Sequence, residues 1–329
     1  MVDAKAVRIQ GKGDVDVLQL GSLQVPEPGP SELLVRVAAA GLNRADTLQR
    51  RGFYPAPPGV VPDVPGLEYA GHVERVGAGV RDFAVGDAVM GIVGGGAMAT
   101  HLVVHERETL RVPAGMPIEE AAAVPEVFLT AYDALFPQAQ LGLSELLLVH
   151  AVGSGVGTAA LQLGVSAGAR VVGTSRSEDK LARCHALGLA HGICVKDKTF
   201  AKALAAHSGG AGADVIVDLV GAAYLAENVA ALALRGRVVV VGLLGGATAE
   251  LPLGLLLAKR GQIFGTVLRS RSLEEKATLA QAFTRHALPL FASGKLKPIV
   301  DSVLPMTEVR EAHKRMEQND SFGKIVLRW

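Results

Sequence analysis

The sequence predicts an α/β protein: a doubly wound parallel sheet joined to a second, barrel-like β domain. Three observations predict it. The chain has 329 residues, more than one compact core usually holds, so two domains are expected. Hydrophobic residues make up 49% of it, enough for strands buried on both faces, as in a parallel sheet. The pattern also changes along the chain, from short strands broken by Gly and Pro to apolar strands alternating with helical spacing.

Taken in order, the Val-rich or alternating segments Lys5–Gln10, Glu32–Ala38, Glu68–Val76, Asp87–Val93 and Thr100–Val104 read as strands. Pro26, Pro28 and Pro30, then Gly77 to Gly79 and Gly86-Asp87, punctuate them. After Pro125 the apolar runs Leu146–Val152, Arg170–Thr174, Asp214–Val220, Arg237–Gly242 and Gln262–Leu268 are buried-strand candidates. Helical patterns at Val156–Ala167, Glu178–Leu187 and Ala223–Leu234 lie between them. The tail predicts one long helix over Glu274–Ser293, a second over Val309–Gln318, and a closing strand at Lys324–Arg328. The expected layout is a barrel-like domain over 1–125, the parallel sheet over 126–265, and a return to the first domain over 266–329.

Composition excludes several classes. A net charge of +1 with no basic run gives no nucleic-acid footprint. The first residues lack the apolar core of a signal peptide, and runs such as Leu251–Ala258 are interrupted by Pro252 and Gly254. Cys184 and Cys194 are the only cysteines, too few for a four-thiolate zinc site and consistent with reduced thiols. A cytoplasmic protein without membrane spans is expected.

The strongest chemical signal is His150-Ala151-Val152-Gly153-Ser154-Gly155-Val156-Gly157-Thr158, which ends an apolar strand and opens a helix. Small residues there admit a pyrophosphate to the backbone, and the helix N-terminus offers free N–H groups. Thr158 stands where the third Gly of the plain dinucleotide pattern would be. A purely structural strand-to-helix turn is the competing reading. The next strand tip, Thr174-Ser175-Arg176, carries no acid to hold ribose hydroxyls. Ser177 reads as a helix N-cap. Arg176 and Lys180 would flank a 2′-phosphate, which favours NADPH; the alternative is that both are solvated surface charges.

Several motifs together resemble the medium-chain dehydrogenases/reductases, and within them the zinc-free, zeta-crystallin-like quinone oxidoreductases. They are Ala40–Asp46, Gly66-Leu67-Glu68, Pro125–Ala131, the Ser154–Gly157 turn, Leu268–Arg271 and Gly323–Leu327. The resemblance implies a chaperonin-10-like barrel followed by a Rossmann domain. It puts Asn43 where zinc-dependent relatives have a Cys ligand, and Leu67 where they have a His ligand. It implies an NADPH:quinone oxidoreductase, because an acceptor not polarised by a metal must already be reactive. Enones, enals and enoyl thioesters are the alternative acceptors; a cofactor-binding structural or nucleic-acid-binding relative is a further one.

The resemblance also assigns residues. Asn43, Asp46 and Tyr54 would lie beside nicotinamide and acceptor: Asn43 holding the carboxamide or donating to an acceptor oxygen, Tyr54 hydrogen-bonding that oxygen, Asp46 positioning the network. Glu68 would be structural. Thr130 would contact the nicotinamide, and Ser154, Gly155, Val156 and Gly157 the pyrophosphate. Leu219, Gly242, Leu243, Leu268 and Arg269 would line the cofactor channel, and Lys324 would add charge at the adenosine end. Val195 departs from the aromatic residue or His often found near the adenosine. A homodimer built by continuing the Rossmann sheet is implied as well.

Overall fold

The computed structural model describes residues 1–329. The chain divides into two compact units, one formed by Met1–Leu129 with Leu268–Trp329, the other by Thr130–Val267. The first boundary falls inside the helix Pro125–Asp133.

In the first unit a seven-stranded sheet runs, in spatial order, Val300–Pro305, Lys324–Arg328, Glu32–Gly41, Glu68–Val76, Ala88–Ile92 and Thr109–Arg111, with His101–His105 also paired to Glu32–Gly41. All pairings are antiparallel except that of Val300–Pro305 with Lys324–Arg328. A separate hairpin joins Val2–Ile9 to Leu18–Val25. Its core interleaves Leu33, Val35 and Val37, Val73, Val89, Leu102 and Val104 with Ile325 and Leu327. These are alternate positions of the strands, the period that puts one face inward.

The second unit holds six parallel strands in the spatial order His191–Cys194, Arg170–Ser175, Leu146–Val149, Ala213–Asp218, Leu232–Val240, Gln262–Gly265. Numbered along the chain this is 3-2-1-4-5-6, the Rossmann order, whose direction reverses between the first and fourth strands. Leu146–Val149 is buried at every position, as a central strand covered on both faces must be. The predicted fold class is the one observed.

Individual elements differ from expectation. The helix expected over Glu274–Ser293 is two, Leu273–His286 and Leu288–Ala292. Pro289 lacks an N–H and its ring crowds the preceding turn, so the first helix cannot run on. The helix expected to reach Leu234 stops at Ala231, and a strand starts at Leu232, five residues before the predicted Arg237. Arg235, at φ +63°, interrupts its extended course. The hairpin strand Leu18–Val25 and the helix Arg44–Arg51 were not anticipated.

Candidate functional site

In the Rossmann unit, Ser154 caps the helix Gly155–Ser166, its Oγ accepting from the Gly157 N–H at 3.1 Å. The first helical N–H groups, those of Gly155 and Val156, have no acceptor within the helix and stand available to an anion. Gly157 is fixed by close approach: a Cβ there would lie 2.4 Å from the Ala151 carbonyl oxygen. Gly157, rather than Thr158, thus meets the demand for tight helix–strand packing that the third Gly serves in the plain pattern.

The other strand ends gather the remaining expected cofactor residues of this unit. Thr174 is the last residue but one of the strand Arg170–Ser175, which exposed Arg176 follows; Ser177 caps the next helix by accepting from the Lys180 N–H at 3.3 Å. Leu219 follows Ala213–Asp218, and Gly242 and Leu243 follow Leu232–Val240. The N–H groups of Val241 and Gly242 donate to the Asp218 carbonyl, which ties these two ends together. Thr130 is buried in the helix Pro125–Asp133. Val195 is buried in the core of the unit.

Sequence reasoning passed over what lies beneath this rim. His150, expected to be an ordinary strand residue, follows the strand and is fully buried. Its Nδ1 lies 2.8 Å from Thr174 Oγ1 and its Nε2 2.6 Å from Asn228 Oδ1. Asn228 Nδ2 donates to Asp218 Oδ2 at 2.9 Å. Asp218 Oδ1 accepts from the N–H groups of Val220 and Gly221. Because the Asn228 amide turns its oxygen to the ring, Nε2 carries the proton and Nδ1 accepts from the Thr174 hydroxyl. Burial holds the imidazole below its usual pKa, against the opposing pull of Asp218 and the Asn228 hydrogen bond. A neutral ring satisfied at both nitrogens braces the ends of three strands.

In the barrel unit the expected catalytic residues divide. Lys324 is buried, donates to Leu42 O (2.7 Å) and Asn43 Oδ1 (2.6 Å), and forms an ion pair with Glu68 Oε1 (2.6 Å). This corrects its assignment to the adenosine end: the ammonium is held by two acceptors and one carboxylate inside the barrel unit. Asn43 Nδ2 donates to Glu68 Oε1 at 2.9 Å and to Gly41 O at 3.2 Å. Both amide protons are engaged, so Asn43 is an anchor of this network and not a donor to an acceptor oxygen. Glu68 Oε2 accepts the Glu126 N–H at 2.8 Å.

Asp46, also fully buried, accepts the N–H groups of Asn43 (2.8 Å) and Gly66 (2.9 Å). Gly66 sits at φ +102°, which a side chain would resist, so its N–H can turn to the carboxylate. Burial pushes the Asp46 pKa up to about 6, while those two N–H groups, Lys324 and Arg269 hold it from rising further.

Tyr54 is partly exposed, and its hydroxyl makes no hydrogen bond within the protein. Arg269 fixes the rest of the residue: Nη1 donates to Tyr54 O at 3.1 Å and the guanidinium lies 4.8 Å from the ring centroid. The same guanidinium donates to Gly94 O and Gln49 Oε1. Arg269, expected in the cofactor channel, is therefore the clamp that joins the Tyr54 segment to the Gly94 loop. Burial raises the Tyr54 pKa, Arg269 opposes it and Glu126 adds to it, so the phenol stays a proton donor across the neutral range. Leu268, beside Arg269, lines a small apolar cavity of about 20 Å³ with Ile92, Leu129, Leu279 and Ala280, rimmed by Glu108 and Lys276.

A Rossmann unit with an open helix N-terminus and a barrel unit with a tethered phenol define a dehydrogenase/reductase class of protein. Residues 155–285 match the family model described as zinc-binding dehydrogenase, and residues 29–114 that described as alcohol dehydrogenase GroES-like domain. The chain is 30% identical to a human quinone oxidoreductase over 98% of its own length and 97% of that protein's. Its structure is similar to that of an NAD-dependent alcohol dehydrogenase, with TM-score 0.88, 34% identity and 99% of each chain covered. It is also similar to the CurK enoyl reductase, with TM-score 0.88, 27% identity and 99% of each chain covered. The chain belongs to the medium-chain dehydrogenase/reductase family, whose members are nicotinamide-dependent oxidoreductases.

The zinc in that family description does not fit these residues. Asn43 and Leu67 supply no thiolate or imidazole, and the Lys324 ammonium already rests against Glu68 and Asn43. No three His, Cys, Asp or Glu side chains converge as a metal site. No helix is long and apolar enough to cross a membrane.

Proposed function

We propose that this protein reduces quinones with NADPH, without zinc. The observation that carries the reading is the Tyr54 hydroxyl, left without a protein partner while Arg269 holds the residue on both ring and carbonyl. Such a phenol is placed to donate to an oxygen that gains negative charge, the contact that lowers a barrier rather than tightening ground-state binding. Lys324, Asn43, Glu68 and Asp46 hold the surrounding backbone rigid. Acceptors that stabilise incoming charge themselves, quinones above all, suit a site with no Lewis acid in its donor set.

In the Rossmann unit Ser154, Gly155, Val156 and Gly157 would hold the pyrophosphate; Leu219, Gly242, Leu243 and Thr130 would bound the rest of the cofactor. Arg176 and Lys180 would take the 2′-phosphate and so favour NADPH over NADH. The bound nicotinamide supplies a hydride. We further propose a cytoplasmic homodimer. The outer edge of Gln262–Gly265 ends the sheet, and the adjoining helix Leu253–Lys259 exposes Leu253 at 67% and Leu257 at 79%, an edge and an apolar patch that a second copy would cover.

The test is NADPH oxidation with ortho- and para-quinones, enones, enoyl thioesters and simple alcohols, for wild type and Tyr54→Phe. Quinones should turn over and alcohols should not. Tyr54→Phe should lower turnover about tenfold to a hundredfold with little change in NADPH affinity. Equal rates in the two proteins would remove Tyr54 from the chemistry. Failure of every quinone with brisk reduction of an enoyl thioester would give the function to that second reading, which the likeness to an enoyl reductase supports. Inactivity toward all of them would leave a binding or structural role.

A further inference from the structure

The barrel unit gathers three interacting carboxyl groups and two cations, Asp46, Glu68 and Glu126 against Lys324 and Arg269, and of these Arg269 and Glu126 also act on Tyr54. If all were ionised the cluster would carry a net negative charge in a largely buried place, which is costly. One proton relieves it, and the hydrogen bonds identify its holder. Both oxygens of Glu68 accept, from Lys324 and Asn43 on one side and from the Glu126 N–H on the other. Both oxygens of Asp46 accept backbone N–H groups. The Glu126 carboxyl accepts nothing.

Glu126 also lies in the first turn of its helix, where a carboxylate would ordinarily be favoured. Here the Glu126 N–H is already taken by the Glu68 carboxylate, so its side chain meets a like charge instead. Of the three residues Glu126 alone is half-buried; Asp46 and Glu68 are fully buried.

We propose that Glu126 is the proton store of this site: a neutral carboxylic acid that gives its proton to the acceptor oxygen as the hydride arrives. The inference rests on the reductase reading above. Reduction of a quinone to hydroquinone consumes one hydride and one proton. The hydride comes from NADPH; the Glu126 O–H bond breaks and its proton bonds to the quinone oxygen, directly or through the Tyr54 hydroxyl. The resulting carboxylate is stabilised by Lys324 and Arg269 until solvent reprotonates it through its exposed side. Burial, with Glu68 next and Asp46 adding, pushes the Glu126 pKa up to about 8 against the pull of Lys324 and Arg269. The store is therefore full at neutral pH.

Infrared difference spectra of the full-length protein without cofactor, titrated from pH 6 to about pH 9.5, read the proton itself. Wild type should lose a protonated-carboxyl carbonyl band with a midpoint near pH 8, and Glu126→Gln should lack that band. Gln copies the shape of the neutral acid, so the variant should fold. A band unchanged in Glu126→Gln, or no such band in wild type, overturns the assignment, whether or not any quinone is reduced.

With NADPH and a reducible quinone, wild-type kcat should fall above about pH 8. In Glu126→Gln, kcat at pH 7 should be about tenfold to a hundredfold lower and flat with pH, with the NADPH KM within about twofold. Glu126→Asp should keep the alkaline limb. Glu126→Gln with the wild-type rate and limb would show that the proton comes from elsewhere, even if the infrared band is Glu126's.

Discussion

Replacing Lys324 by Met tests the central charge balance of the barrel unit. The side chains of Lys324 and Glu68 are 4% and 0% exposed and their charged atoms stand 2.6 Å apart. Met keeps most of the buried stem and removes only the ammonium. Stripping one partner from a buried ion pair costs roughly 3–5 kcal/mol. The variant should therefore lose about 3–5 kcal/mol and regain most of it when Glu68→Gln is added, because the second change removes the charge left unpaired. Trp329, the only tryptophan, packs on the core of this unit, so its fluorescence during urea unfolding reports on the barrel unit. A loss under about 1 kcal/mol, or no recovery in the double variant, would refute the account of Lys324 and Glu68 as a buried ion pair.

Arg176→Ala/Lys180→Ala should cut the ratio of NADPH to NADH affinity at least about tenfold, since a charge-assisted bond to phosphate is worth about 1.5–3 kcal/mol; an unchanged ratio by titration would make both plain surface charges. Gly155→Val should weaken NADPH binding while the thermal melt stays near wild type, and normal affinity would move the site away from this turn. His150→Phe should strand Thr174 Oγ1 and Asn228 Oδ1 in the core at about 1–3 kcal/mol each, read as a lowered midpoint in thermal melts; an unchanged midpoint would deny the bracing role. Glu126 links stability to pH with a definite sign. Its folded pKa, about 8, lies above its ordinary 4.5, so between those values the folded chain binds a proton that the unfolded chain has released, and stability falls as pH rises through that window. Glu126→Gln should remove that fall, so that melts of variant and wild type coincide near pH 5 and the variant is the more stable at pH 9.

Much of this was legible because the signals were local and repeated. Apolar strands followed by helical spacing fixed the parallel sheet, and the glycine turn could be placed at a strand end because Leu146–Val152 reads as an apolar run that ends in glycines. Where local signals compete, position was lost. The helical periodicity after Glu274 continues through Pro289, and only the missing N–H and the ring's bulk decide that the helix stops. Leu232 to Leu234 suit helix and strand alike, and pairing with the neighbouring strands settles them as strand.

The bonds of the candidate site were not legible in the sequence. Lys324 was assigned charge at the cofactor by resemblance, and its strand was read correctly; no local pattern reveals that on this strand it meets Glu68, more than two hundred residues earlier. His150 looked like one more strand residue, since its partners Thr174 and Asn228 come from other strands and helices. Glu126 stood inside a recognised motif without a role, because its chemistry depends on the count of charges around it. Each is a buried polar group whose meaning comes from what satisfies it, and satisfaction is a property of the fold. Asn43 makes the argument sharpest. From sequence it is a free amide beside the chemistry. In the structure both of its protons and its oxygen are engaged, and the unengaged donor is Tyr54. The donor proposed above rests on counting occupied hydrogen bonds: the barrel unit leaves the Tyr54 phenol, held by Arg269, and the Glu126 carboxyl without a hydrogen-bond partner.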